Sequence, residues 1–183
     1  TELAGFSRVN NEGVITLLIS EVASGQSLMI EKLASLKTDS MVIKNGKNKE
    51  AKTLASEFFD FTVENVEGIS NLLSQCRKGL AENKSFFIDY KVNPDELNDT
   101  KKVVEALRRI FPNLEVLINL SSIHSESYNK KVLQKYQRFA NGMTIAHLDL
   151  CINYGAIFNL TLNFPNLPIK FFGTGEVIPE DIE

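Results

Sequence analysis

A chain of 183 residues and 20.5 kDa fits one globular domain with room for a real core. Apolar residues at 43% and charged residues at 23% exclude wholesale disorder. A net charge of −3 with a pI near 5.5 lacks the basic excess of a phosphate-backbone binder, which excludes nucleic acid as a main partner.

In chain order, short apolar runs alternate with helical spacing. Val14–Ser20 (VITLLIS) predicts a buried strand, and Ser27–Leu36 a helix with Met29, Ile30, Leu33 and Leu36 on one face. Ser40–Lys44 predicts a second strand, Lys47–Phe58 a helix that begins on a loop, and Phe59–Val63 a brief strand. Asn65–Leu80 predicts a helix whose stripe is Val66, Ile69, Leu73, Cys76 and Leu80. Ser85–Tyr90 predicts a strand, followed by a loop at Pro94 and a helix over Asp95–Phe111 that Pro112 stops. Leu114–Leu120 is a strand, Ser125–Phe139 a helix ended by Asn141-Gly142, and Met143–Leu148 a strand. Asn153–Leu162 and Leu167–Gly173 complete the set as helix and strand. This alternation predicts an α/β three-layer sandwich, a mostly parallel central sheet with helices on both faces. Right-handed crossovers then gather the strand C-terminal ends, and any ligand, on one edge.

No apolar run is long enough to cross a bilayer, so membrane contact is expected to be peripheral at most. Thr1-Glu2 does not open a signal peptide, and a cytoplasmic location is expected. Cys76 and Cys151 have no second Cys or His at zinc-ligand spacing, and His124 and His147 have no partner at helical spacing. Free thiols and no histidine-based metal site are expected. His124 lies near Ser121 and Ser122, but no G-x-S-x-G elbow accompanies them, which disfavours a hydrolase triad. The lysines of Lys44–Lys52 read as a solvated basic face, and Asp95/Glu96 and Glu180/Asp181/Glu183 as helix-start carboxylates.

The first strand-to-helix junction is where α/β proteins hold phosphate, because free N–H groups and the helix dipole converge there. It reads Ser20-Glu21-Val22-Ala23-Ser24-Gly25-Gln26-Ser27, against the phosphate-loop pattern G-x-x-x-x-G-K-[ST]. Gly25 and Ser27 are in place, Ser20 replaces the first glycine and Gln26 the lysine. A neutral amide gives roughly half the strength of a charged donor, and Glu21 is expected to add negative charge inside the loop. Taken alone, Gly25-Gln26-Ser27 is better explained as a turn opening a helix.

Several segments together resemble the G domain of signal-recognition-particle (SRP) GTPases, most of all the flagellar member FlhF. Ser27–Ala34 is similar to the T-T-T-I-A-K-L-A helix, and Phe172–Glu183 to the T-G-Q-x-V-P-D-D-[IL]-E segment. Leu117–Ser122 resembles the L-V-L-S-A-T strand, and Ala146-His147-Leu148-Asp149 sits where the family carries T-K-L-D, with Gly155 after it. The resemblance spans 14–183, with 1–13 a lead-in, and implies a P-loop NTPase-like fold without the family's helical bundle and final helix. It implies guanine nucleotide contacts at Gly25, Gln26, Ser27, His147, Asp149, Gly173 and Gly175, and Mg²⁺ contacts at Ser27 and Asp89. GTP or GDP with Mg²⁺ is the implied cofactor. A homodimer, a heterodimer with a related SRP-type GTPase, and flagellar assembly proteins are the implied partners, at the inner face of the membrane or the pole.

The departures bear on turnover. The D-T-Y-R motif is replaced by Lys44-Asn45-Gly46-Lys47-Asn48, and in place of D-T-A-G-R Asp89 is followed by Tyr90-Lys91-Val92-Asn93. Phosphoryl transfer depends on placed positive charge and an oriented water, so losing lysine, arginine and switch glycine together argues against it. Lys44 or Lys91 are candidates to replace one lost charge. Asp149 reads equally as a base-reading carboxylate or as a loop cap, and His147 as a stacking ring or an ordinary strand-end residue. The expectation is a degenerate GTPase domain serving as an interaction or localisation module in flagellar or polar-organelle assembly. The alternatives are an active or partner-activated GTPase and an unrelated α/β binding domain.

Overall fold

Seven runs become the seven strands of one sheet, and the apolar runs of its central strands are buried on both faces, while the two edge strands are only partly covered. The computed structural model describes residues 14–21, 23–45, 53–92, 95 and 97–183. The strands are β1 (Ile15–Ser20), β2 (Ser40–Asn45), β3 (Thr62–Val66), β4 (Ser85–Lys91), β5 (Glu115–Ser121), β6 (Gly142–Ala146) and β7 (Ile169–Phe172). Between them run α1 (Gln26–Ser35), α2 (Leu54–Phe58), α3 (Gly68–Ala81), α4 (Leu97–Ile110), α5 (Glu126–Tyr136) and α6 (Tyr154–Asn163). The spatial order is β3-β2-β4-β1-β5-β6-β7 and every strand pair is parallel. This is the predicted three-layer α/β sandwich of P-loop NTPase type.

The strand period of two divides the core. Ile15, Leu17 and Ile19 of β1 face α3, α4 and α5, where Cys76, Leu107 and Tyr136 are fully buried. Leu18 faces the other way, onto Met29, Ile30 and Leu33 of α1, and this second cluster includes Ile182 from the end of the chain. From β1 the chain moves outward to β2 and β3, returns through β4, and leaves on the opposite side through β5, β6 and β7. The reversal opens a crevice beyond the carboxyl ends of β1 and β4, the place where such sheets take ligands.

Four predicted boundaries are corrected. β3 spans Thr62–Val66 instead of Phe59–Val63, so Asn65 and Val66 belong to a strand and α3 starts at Gly68. The fully buried stripe of α3 is Leu72, Cys76 and Gly79, with Ile69, Leu73 and Leu80 packed partly against it. α2 starts at Leu54 because Thr53 forms a capping box with Ser56, and the expected helical residues Lys47–Lys52 lie outside the described residues. β6 ends at Ala146, and His147 takes a left-handed conformation (φ 60°) that turns the chain into a 3₁₀ turn over Leu148–Leu150.

Candidate functional site

The loop from β1 to α1 is built by backbone geometry first. Ala23 (φ 60°) and Gly25 (φ 72°) are left-handed, and Gly25 is the N-cap of α1 without a side-chain capping bond. At Gly25 the space is closed as well: a Cβ would lie 2.6 Å from Cε1 of His147. Among the described residues no backbone carbonyl accepts from the N–H groups of Ser27 or Leu28, and the first backbone bond of the turn is Met29 N–H to Gly25 O at 3.1 Å. These are the open donors that a helix start offers to an anion.

The next layer of contacts fixes the loop from behind. Asn119 in the middle of β5 donates Nδ2 to Ser24 O at 2.7 Å and accepts from Thr144 Oγ1 of β6 at 2.7 Å. At the end of β5, Ser121 Oγ lies 2.8 Å from Nδ1 of His147, and just beyond the strand Ser122 Oγ donates to the His147 carbonyl. His147 is thereby held with its ring against Gly25. His124 contacts the Ala23 backbone and stands edge-on to Tyr128 at 4.9 Å. Burial and the neighbouring His147 push its pKa down.

The side chains expected to meet phosphate and metal turn to each other. Gln26, 3% exposed, donates Nε2 to Leu18 O at 3.1 Å and to Asp89 Oδ1 at 2.6 Å. Ser27 Oγ donates to Asp89 Oδ2 at 3.0 Å, and Asp89 itself is buried. Both carboxylate oxygens are thus satisfied by neutral donors from the loop. Gln26 Oε1 and Ser24 Oγ are buried without a hydrogen-bond partner. An acceptor left bare in this position opposes an anion, which an ammonium group there would attract.

The crevice encloses about 250 Å³ and is lined by Ser20, Glu21 and residues 23–28 together with Lys91 and Val92. Val92 donates its backbone N–H to Ser20 O at 3.0 Å, so this N–H is already engaged. Lys44 is drawn off to Glu31 at 3.2 Å, leaving Lys91, exposed at the rim, as the nearer of the two candidate cations. Gly46, Lys47 and Asn48 of the replaced second motif, and Asn93 of the third, lie outside the described residues. Glu21 lines the crevice, with its carboxylate partnered from α5. Its carboxylate accepts from Tyr128 Oη and Tyr136 Oη, each at 3.1 Å, and from Lys135 Nζ at 3.2 Å, which anchors it to α5. Burial and Glu21 raise the pKa of both phenols, keeping them as donors.

Asp149 is exposed on the 3₁₀ turn after β6, at the same sheet edge as the loop. Gly173 and Gly175 belong to the closing segment. Leu148 N–H donates to Gly173 O, and Lys32 of α1, 1% exposed, donates Nζ to Gly175 O and, at 2.8 Å, to Asp181 O. Burial lowers the Lys32 pKa, opposed by Asp181, Asp149 and Glu176. The loop, His147, the closing segment and α1 therefore form one closed ring of contacts. The sequence reading missed Asn119 and Lys32; the signal was a polar residue inside an otherwise apolar strand and a lysine beside the apolar stripe of a helix. Cys76 is buried and pushed up to about 12, and Cys151 is half-buried; both are free thiols. Among the described residues no cluster of three or more His, Cys, Asp or Glu could hold a metal ion, and no helix is long and apolar enough to cross a membrane.

A parallel sheet of this order, with an anion-type loop after its central strand, defines the G-domain class of P-loop folds. Solved structures of two SRP-type GTPases, FlhF and FtsY, share it. FlhF complexed with GTP/Mg²⁺ superposes with a TM-score of 0.73 at 16% identity, over 96% of this chain and 71% of that one. FtsY of Thermotoga maritima gives 0.67 at 20% identity, over 96% and 66%. The signal recognition particle receptor FtsY of Elizabethkingia anophelis in complex with GDP gives 0.69 at 17%, over 98% and 63%. The likeness is one of fold, and the chain spans between 63% and 71% of these neighbours. No protein-family model and no curated sequence matches it.

Proposed function

We propose that the chain is a degenerate G domain of the SRP/FlhF type that acts through protein contacts, as an interaction or localisation module in flagellar or polar-organelle assembly. The observation that carries this reading is the inward turn of Gln26. Where a lysine would bring charge to a triphosphate, an amide is bonded to Leu18 O and Asp89 and leaves a bare acceptor in the loop. The spent N–H of Val92 supports the same reading. The flagellar setting rests on the likeness to FlhF, and a related SRP-type GTPase is the partner it suggests, in the cytoplasm or at the inner face of the membrane or pole.

A second reading, a GTPase activated by a partner, is favoured by one observation: Lys91 lines the crevice beside the open N–H groups of the loop. In that case Gly25, Gln26, Ser27, His147, Asp149, Gly173 and Gly175 would hold the nucleotide. Mg²⁺ would sit at Ser27, with Asp89 acting on it through water, which requires Asp89 to give up its present bonds. Titration of GTP with Mg²⁺ by calorimetry separates the two. The first reading expects no saturable binding below about millimolar concentration for the chain itself. It also expects a gain of at least about tenfold for Gln26→Lys, since a charged donor is roughly twice as strong as a neutral one. Tight binding with measurable hydrolysis by the unaltered chain overturns it.

A further inference from the structure

We propose that the groove between the ends of α3 and α4 docks an acidic segment of a partner protein through one apolar side chain. The groove encloses about 310 Å³ at the opposite end of β1 from the crevice. Leu80 and Asn83 form one wall and residues 110–113 the other, with Ile15 of β1 also lining it. Both walls are fixed by their own backbone. Asn83 is left-handed (φ 57°), its N–H donates to Leu80 O at 3.1 Å, and Lys84 N–H donates to Gly79 O at 3.0 Å, the pair of bonds that ends a helix sharply. On the other side Phe111 N–H donates to Leu107 O at 2.8 Å, Pro112 stops α4, and Leu114 N–H donates to Phe111 O at 3.0 Å. The concavity therefore stands before any partner arrives, which spares binding the cost of ordering it.

Charge and lining together select the occupant. Residues 77–84 and 108–113 carry five bases and one acid, in a chain whose net charge is −3. Arg77 lies one turn before Leu80 on α3, Arg109 lies directly before Ile110 on α4, and both are exposed. The one acid, Glu82, is already paired with Lys84 at 2.9 Å, and Arg108 is tied to Phe139 O. Cations at helix ends complement the dipoles by themselves, but that role needs no groove between them. Carboxylates on either side of an apolar side chain would meet Arg77 and Arg109 while that side chain enters the groove. A nucleic acid gains little here: its phosphates have no use for an apolar lining, and Phe111, the one aromatic in it, is buried and offers no face for stacking. A lipid chain would leave the side-chain amides of Asn83 and Asn113 facing hydrocarbon. A peptide backbone pairs with both amides, and an apolar lining with a few polar groups is the usual make-up of such a site. None of these residues lines the crevice, so the docking does not depend on nucleotide and goes beyond the function proposed above.

Synthetic pentapeptides test the proposal, with Leu, Ile, Phe or Trp between two acidic residues on each side, and counterparts flanked by Lys and Arg. Each is titrated into the isotope-labelled 183-residue chain by amide NMR at about 50 mM salt, where charge pairing is little screened. At least one acidic peptide should saturate below about 1 mM and shift the amides of residues 80–83 and 110–113, while the basic counterparts should not. Arg77→Gln with Arg109→Gln should weaken binding about fivefold, as expected for two exposed charges. Asn113→Trp, which fills the mouth of the groove, should abolish it. All three side chains are exposed, so the rest of the spectrum should stay in place and report an intact fold. No saturation by any acidic peptide up to about 5 mM overturns the proposal, as does binding that maps elsewhere or ignores both variants. Capture by phosphatidylglycerol vesicles that the same variants weaken, without peptide binding, assigns the groove to lipid and overturns it too. None of these results touches the nucleotide reading, which calorimetry tests separately.

Discussion

Gly25 shows how closely the loop is specified. Its φ of 72° already disfavours any side chain, and the His147 ring occupies the space a Cβ would need. Gly25→Ala therefore combines backbone strain of about 1–2 kcal/mol with displacement of a ring that Ser121 and the Ser122–His147 contact hold in place. A fall of about 1–3 kcal/mol in unfolding free energy is expected by urea titration. A variant as stable as the parent would mean that His147 does not rest on the loop. Gly25 and Ser27 were legible in the sequence because a turn and a helix start impose local requirements. Glu21 was not, since its partners Tyr128, Tyr136 and Lys135 lie more than a hundred residues away and only the fold brings α5 beneath the loop.

At the scale of elements, the strand runs were readable because a parallel sheet buries both faces of each strand, so β1, β4 and β5 appear as nearly continuous apolar stretches. β3 was placed three residues too early because it is an edge strand carrying Glu64 and Asn65, and its Val66 fell into register with the helix that follows. The α3 stripe consequently began at Val66, outside the helix, and passed over Leu72 and Gly79. That glycine is where α3 approaches β4: a Cβ there would lie 1.8 Å from Cζ of Phe86, a ring with no exposed surface. In an exposed helix, Gly→Ala gains about 1 kcal/mol from propensity. Here overpacking, typically 1–3 kcal/mol, opposes it, and the ring has nowhere to go. Gly79→Ala should accordingly lower the melting temperature, with α3 amides exchanging faster in hydrogen–deuterium exchange. A rise in melting temperature would show that propensity outweighs the clash.

At the scale of the whole molecule, the sheet order brings the ends of β1, β5 and β6 together, and with them both histidines of the chain. His124 touches Ala23 while His147 lies against Gly25, so two imidazole rings bracket the loop. His124 has its folded pKa pushed below the ordinary 6.5 by burial and by His147, and the Ala23 contact offsets this only in part. The unfolded chain therefore takes up the proton first as pH falls. The stability tied to neutral His124 is whole above about pH 6.5 and is lost as pH drops through that value toward the lower folded pKa. The melting temperature should fall between pH 7 and pH 5, beginning before Asp and Glu carboxylates at their ordinary pKa near 4 contribute. His124→Gln removes the titrating group and should flatten that part of the curve, while Tyr128, Glu21 and the rest of the loop's surroundings remain. Identical pH profiles for the variant and the parent would place the acid sensitivity elsewhere and leave His124 as a packing residue.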